Sequence, residues 1–334
     1  MLAVPGLVGS VLDPLIGAAG DTPRRRRVFV AGGIAFAASA ALTAAAGGFW
    51  PLLIALVVGY SASGAFASLA QATLMDADPA QRARNMARWT LIGSFGYVGG
   101  PLLLWLAVLA GVGWRGAIGA LAVSTLPLVL VARRFPDPPP GEAAPRLGDG
   151  LRDALGALRR REVVRLLVLL QSADLLLDVF HGFLALYLVD AAGQTPSLAA
   201  VGVAVWTAGG LAGDWLLLPA LRRTTGARVL RITALAALAL YPAFLLVAGV
   251  VPKLALLAAL GLVNSGWYAV PKSWLYDALP GRSGSAIAVA GVGGLAGSLV
   301  PLVLGLLAGA VGIGATMWVL LLAPVALLAL PSRR

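Results

Sequence analysis

The sequence predicts an all-α membrane protein with eleven spanning helices, and three observations carry that prediction. Apolar residues make up 60% of the 334 residues, charged residues only 12%, and mean hydropathy is +0.91. No soluble domain of this length buries so much apolar surface, so lipid must be the solvent for most side chains. The apolar runs recur at the length of about 20 residues that a helix needs to cross a bilayer. Of the 25 Lys and Arg residues, all but Arg115 and Lys253 fall in or flank every second connector or lie at the C-terminal end. That alternation is the positive-inside pattern, which orients the basic connectors and the C-terminus to the cytoplasm.

The first span covers 2–20 and runs directly into Arg24–Arg27, so it reads as a span and not as a cleaved signal. Spans 28–48 and 51–75 are separated only by Gly47-Gly48-Phe49-Trp50-Pro51, a turn with no charge. Spans 89–111 and 115–133 follow the basic connector holding Arg82, Arg84 and Arg88. The connector 136–161 is different. It opens Pro136-Asp137-Pro138-Pro139-Pro140-Gly141, which no helix tolerates. It then places Leu147, Leu151, Leu155 and Leu158 on one face with arginines opposite, the pattern of a helix lying in the membrane interface. Spans 163–189, 198–221, 229–250, 253–277, 285–308 and 312–330 complete the chain. The division expected is a five-span bundle over 1–135, the linker 136–161 and a six-span bundle over 162–334.

The two halves echo each other at an offset of about 200 residues, as parallel-repeat transporters do. Asp13 matches Asp214, and Trp50-Pro51 matches Val251-Pro252. Gly96-Tyr97-Val98-Gly99-Gly100-Pro101 is echoed by Gly293-Gly294-Leu295-Ala296-Gly297 with Pro301. The net charge of +11 is explained by topology and anionic headgroups, with no call for nucleic acid. There is no cysteine and a single His, which excludes disulfides, thiol chemistry and a multi-histidine metal site, and no cofactor is expected. Protease, esterase and phosphate-loop motifs are absent, so an enzyme is not expected.

Several residues resemble those of the major facilitator superfamily over essentially the whole chain. In Gly17 to Arg26, the residues Gly17, Asp21, Arg25 and Arg26 match the signature loop between that family's second and third helices, with Thr22 and Arg24 replacing a basic residue and a glycine. Gly96, Gly100 and Pro101 resemble the glycine–proline motif of the fifth helix of many antiporters, without its trailing glycines. Gly113-Trp114-Arg115 before the next span is also typical, whereas the family's fourth-helix arginine is missing from Leu53–Val58. The resemblance implies a two-bundle transporter fold in which the first span here corresponds to the family's second helix. The family's first helix is then absent, and a truncated membrane scaffold that transports nothing is one alternative reading. It also implies that Asp21 with the following arginines forms an inner gate, with Asp13 and its repeat-mate Asp214 at the same level.

The most polar span is 163–189. Gln171, Asp174, Asp178 and His181 are spaced by 3, 4 and 3, which puts them within roughly 80° on one face of an ideal helix. Ionisable groups at midspan are costly and are functional sites by default. Two carboxylates one turn apart repel when both are ionised, which favours their carrying one proton between them, and His181 could share it. Asn264, Trp267 and Tyr268 on span 253–277, with a kink at Pro271, supply stacking surface and a polar edge for a substrate. Tyr60 and Gln71 on span 51–75 are further cavity candidates, while Lys272 is expected to snorkel to the interface. These residues predict a monomeric, proton-coupled secondary transporter of a small molecule, favouring efflux of a cationic or amphipathic compound. The Asp-Pro-Leu-x-Gly run from Asp13 also resembles sugar–cation symporters of the glycoside-pentoside-hexuronide type, the alternative substrate class.

Overall fold

A computed structural model describes residues 3–134, 147–280 and 283–330, and among them every regular element is helical. Pro136–Gly141, Arg146, Arg282, Arg333 and Arg334 lie outside the described residues. In chain order the helices are α1 Ala3–Gly20, α2 Arg25–Ala45, α3 Phe49–Ala77, α4 Arg82–Leu109, α5 Gly113–Ala132 and α6 Leu147–Ala157. Then come α7 Arg161–Asp174, α8 Phe180–Leu186, α9 Pro196–Arg223, α10 Gly226–Leu246, α11 Val250–Val263, α12 Ala269–Ala278, α13 Ser283–Gly297, α14 Val300–Val311, α15 Ile313–Met317 and α16 Leu322–Ala329. Among the described residues seven stretches are long and apolar enough to cross a membrane, and three more are shorter apolar helices. With the interrupted stretch 161–191 they account for the eleven spans.

The repeat is sharper in the helices than in the residues. Shifting α2 by 201 residues gives the bounds of α10, and the same shift carries α3 onto α11 plus α12 and the start of α4 onto the start of α13.

Four spans expected as single helices are interrupted: 285–308 between α13 and α14, 312–330 by the 3-10 turn Trp318–Leu321 between α15 and α16, and two that shape the site. The stretch 161–191 is α7, a π-helical turn Leu175–Val179, α8, and a second π-helical turn Tyr187–Ala191. A π turn takes one residue more per hydrogen-bonded ring, so the ideal spacing no longer fixes which side chains share a face beyond Asp174. The stretch 250–278 breaks between Asn264 and Tyr268. Gly266 has φ +83°, a conformation that costs an L side chain, and a Cβ there would approach Leu217 at 3.2 Å. Pro271 therefore makes no kink. It stands third in α12, where its missing N–H has no helical partner to lose. In α6 Ala154 and Ala157 are buried and Leu155 is exposed.

The chain forms two compact units that interleave along the sequence. One unit takes residues up to 80, 99–164 and 276–298. Here α2 packs on α3 and α5, and α1 packs on α3 and α13. The backbones of α1 and α13 touch: a Cβ on Gly17 would strike the Gly284 carbonyl and Ala288, and a Cβ on Gly284 would strike the Gly17 carbonyl. Such small-residue crossings are how helices associate where lipid removes the hydrophobic drive.

The other unit takes residues 81–98, 165–275 and from 299 on. Its core is aromatic: Phe180 stacks edge-on against Trp206 at 4.8 Å, Tyr241 at 5.5 Å and Phe244 at 5.7 Å. These contacts fix α8 against α9 and α10. Gly209 and Gly213 let α9 lie directly on the backbone of Ala258 and Leu262 in α11, and Gly261 lies against the Trp206 carbonyl. The rotation of α9 and α11 is thereby set, and with it the placement of Asp214 and Asn264.

Candidate functional site

The second unit encloses a cavity of about 360 Å³. Asp174 borders it from the last position of α7, Asp178 from the π turn and His181 from the first turn of α8. Asp214 borders it from α9, and Asn264 and Tyr268 from either side of the α11–α12 break. Three carboxylates thus share one wall system with one imidazole. Trp89, Thr90, Ser94 and Tyr97 of α4, with Trp206 and Thr207 of α9, complete much of the lining.

The polar contacts order this wall. Ser94 Oγ donates to Asp214 Oδ2 at 2.5 Å. Gln171 Nε2 donates to Asp174 Oδ2 at 3.3 Å, so Gln171 orients Asp174 and does not itself border the cavity. Asn264 Nδ2 donates to the Leu176 carbonyl inside the π turn at 3.2 Å, which joins the two interrupted spans. The Tyr97 and His181 rings meet edge to face at 6.1 Å. Among the described residues no group of three or more His, Cys, Asp and Glu could hold a metal ion.

Several predicted residues lie elsewhere. Trp267 is fully buried, its Nε1 donating to Thr233 Oγ1 at 2.9 Å, because the break at Gly266 turns it away from Tyr268. Lys272 does not snorkel: it is 8% exposed, its Nζ lies 5.9 Å from the Tyr268 ring centre, and it acts electrostatically on Asp174. Tyr60 and Gln71 belong to the first unit. Tyr60 is half exposed with its ring over Gly9, and Gln71 Oε1 accepts from Tyr276 Oη at 3.2 Å. Asp214, grouped with the gate in the sequence, is a cavity residue. Its repeat-mate Asp13 stays in the first unit, packed between Gly64 and Gly291. Gly96, Gly100 and Pro101 lie in an unbroken α4, and a Cβ on either glycine would meet nothing within 4 Å.

The signature loop builds a second polar cluster, in the first unit. Asp21 accepts from the Gly284 and Ser285 amides at 2.6 and 2.8 Å and from Ser285 Oγ at 2.9 Å. It therefore caps α13, as a carboxylate at a helix N-terminus should. Burial pushes the Asp21 carboxyl above the ordinary carboxylate range, while the Gly284 and Ser285 hydrogen bonds and Arg25 pull it back. Arg25 is buried and fully engaged, donating from Nε to the Gly20 carbonyl, from Nη1 to Asp76 at 2.7 Å and from Nη2 to Ser283 Oγ at 2.6 Å. Arg26 is exposed. Sequence reasoning missed Asp76, whose repeat-mate Asp277 was the available signal, and missed Ser94, Thr90 and Tyr97, which look like ordinary packing residues of an apolar span.

The comparisons agree with this architecture. Residues 1–292 match the family model described as Major Facilitator Superfamily. The structure superposes on the E. coli fucose:proton symporter FucP with a TM-score of 0.78 at 17% identity, covering 98% of this chain and 88% of that one. It superposes on the human organic anion transporter MFSD10 (TETRAN) at 0.69 and 19% identity, covering 98% and 82%. For the proton:xylose symporter XylE the values are 0.73 and 14%, covering 97% and 83%. At these identities the likeness is one of fold. No curated protein matches the chain in sequence.

Proposed function

Because the chain belongs to the Major Facilitator Superfamily, a family of secondary transporters and not of enzymes, we propose that it moves a small cationic or amphipathic molecule against an exchange of protons. The site is the cavity bordered by Asp174, Asp178 and His181, exposed alternately to the two sides as two bundles, 1–135 and 162–334, rearrange. One observation carries the reading: three carboxylates border one cavity whose lining, among the described residues, holds no Lys or Arg, with Lys272 acting on Asp174 from outside it. Such a wall attracts positive charge, and burial of several like charges together is relieved by protons or by a cationic ligand. Asp174 and Asp178 lie four residues apart with His181 beside them, which suits them to carry the coupling proton. The membrane is the cytoplasmic one, with the basic connectors inside, and the working form is a monomer.

A second reading is uptake of a sugar with a cation. It is favoured by the fold likeness to FucP and XylE, named as fucose:proton and proton:xylose symporters. The aromatic and amide side chains of Trp89, Trp206, Tyr268 and Asn264 would suit a sugar.

The test is flux in proteoliposomes with and without an imposed pH gradient, using a panel of amines and monosaccharides. Asp174→Asn and Asp178→Asn keep side-chain volume and remove charge, so each should insert normally and lose uphill transport by tenfold or more while exchange survives. If both variants concentrate substrate as the parent does, the coupling assignment is wrong. His181→Gln removes the one imidazole that borders the cavity and should alter the pH dependence of flux.

A further inference from the structure

The three cavity acids are not equivalent. Asp178 has His181 acting on it electrostatically, and Asp174 has Lys272. Asp214 has neither kind of neighbour. It is 7% exposed, and among the described residues its one interaction is the hydrogen bond that Ser94 donates to Oδ2. Among the described residues no Lys, Arg or His pairs with it, and Oδ1 has no protein partner. A carboxylate that is 7% exposed and borders a cavity is stabilised by a positive charge that enters it.

A second acceptor on the same cavity is also unanswered. Asn264 is 3% exposed and its Oδ1 has no hydrogen-bond partner. The amide cannot simply be reversed. Its nitrogen faces the Leu176 carbonyl, which only accepts, so the NH₂ must stay on that side and the oxygen must face away. The acid on α9 is the acceptor that asks a ligand for a donor, while the buried Asn264 oxygen at the α11–α12 break is a polar atom that the wall itself leaves unanswered.

We propose that Asp214, steadied by Ser94, is the seat of the substrate's cationic group, and that the substrate is an organic cation bearing N–H donors, a protonated amine or a guanidinium. The carboxylate pair Asp174 and Asp178 then serves the proton, and the two positive charges have separate acids. A quaternary ammonium brings charge without donors and answers neither acceptor by hydrogen bonding. This assignment rests on the reading of the cavity as a cation site, but it concerns binding and not proton drive.

The experiment is titration calorimetry on the full chain in detergent, without any gradient, using 2-phenylethylamine and its N,N,N-trimethyl counterpart as probes. The parent should bind the primary amine at least tenfold more tightly than the trimethyl compound. Asp214→Asn keeps an acceptor for Ser94 and should weaken the amine tenfold or more. Ser94→Ala should weaken it several-fold, and Asp214→Glu, which keeps the charge, should retain the preference for the amine over the trimethyl compound. Equal affinity of the parent and Asp214→Asn overturns the seat, as does loss of the amine preference in Asp214→Glu with an unchanged melting midpoint. If the parent binds neither probe, the cation reading of the cavity fails and takes the seat with it. Loss of binding in Asp214→Asn, alongside undiminished uphill transport in the Asp174 and Asp178 variants, would keep the seat and remove only the coupling assignment.

Discussion

Arg115 and Lys253 break the charge alternation, and each is occupied with a helix end. Arg115 Nη2 donates to the Ala46 carbonyl at 2.8 Å, at the C-cap of α2, and its guanidinium lies 4.5 Å from the Trp114 ring centre. Lys253 Nζ donates to the Phe244 carbonyl at 2.7 Å, in the last turn of α10, with the Phe244 ring centre at 4.9 Å. Carbonyls at a helix C-terminus lack intrahelical donors, and a cation answers both them and the helix dipole. The helices served, α2 and α10, are the two related by the 201-residue shift, so the exceptions follow the repeat as the rule does. Lys253 is 6% exposed. Lys253→Met should keep the packing but leave that carbonyl without its donor, at a cost of about 1–3 kcal/mol. A lower melting midpoint in detergent checks it. An unchanged midpoint would mean that the cap carries no stability.

The elements divide into what a sequence can state and what it cannot. Span positions were legible, because a bilayer demands a run of apolar residues whatever the neighbours do. The loop around Asp21 was legible as a polar cluster, and Asp174, Asp178 and His181 do reach one cavity. Their route there was not legible. A π turn or a mid-span break is set by contacts with other helices, such as Asn264 with Leu176 and Trp267 with Thr233, and leaves only a faint trace in composition. The one local trace was Asn264-Ser265-Gly266, a helix-ending triplet that an apolar average conceals. Asp214 was misplaced for a related reason: a repeat offset pairs positions, but a pair of positions can serve different surroundings. The break supports a prediction at this scale. Gly266→Ala forces a side chain at φ +83° toward Leu217, at a cost of about 1–2 kcal/mol for the left-handed backbone alone. It should also disturb the cavity wall, so amine binding should weaken along with the melting midpoint. A variant that melts lower but binds as before would show that the break serves folding only.

Across the whole molecule, charge and repeat together give a testable orientation. Four arginines follow α1, and Arg222 and Arg223 end its counterpart α9. The stretch joining α8 to α9, around Gln194, carries no basic residue between Arg165 and Arg222. Retaining Lys and Arg on the side with anionic headgroups is worth about 1 kcal/mol per residue near the surface. With all but Arg115, Lys253 and the buried Lys272 in or beside one set of connectors or at the C-terminal end, the summed preference far exceeds thermal energy, and a mixed population is not expected. The chain contains no cysteine, so single cysteines report without background. Cysteine placed at Ala83 or Thr224, beside Arg84 and Arg223, should resist an impermeant thiol reagent in intact cells and react once the membrane is opened. Cysteine at Gln194 should react in intact cells. Labelling in the opposite sense would place the basic connectors outside and overturn the orientation. Labelling of both sets in intact cells would overturn the single topology on which the charge argument rests.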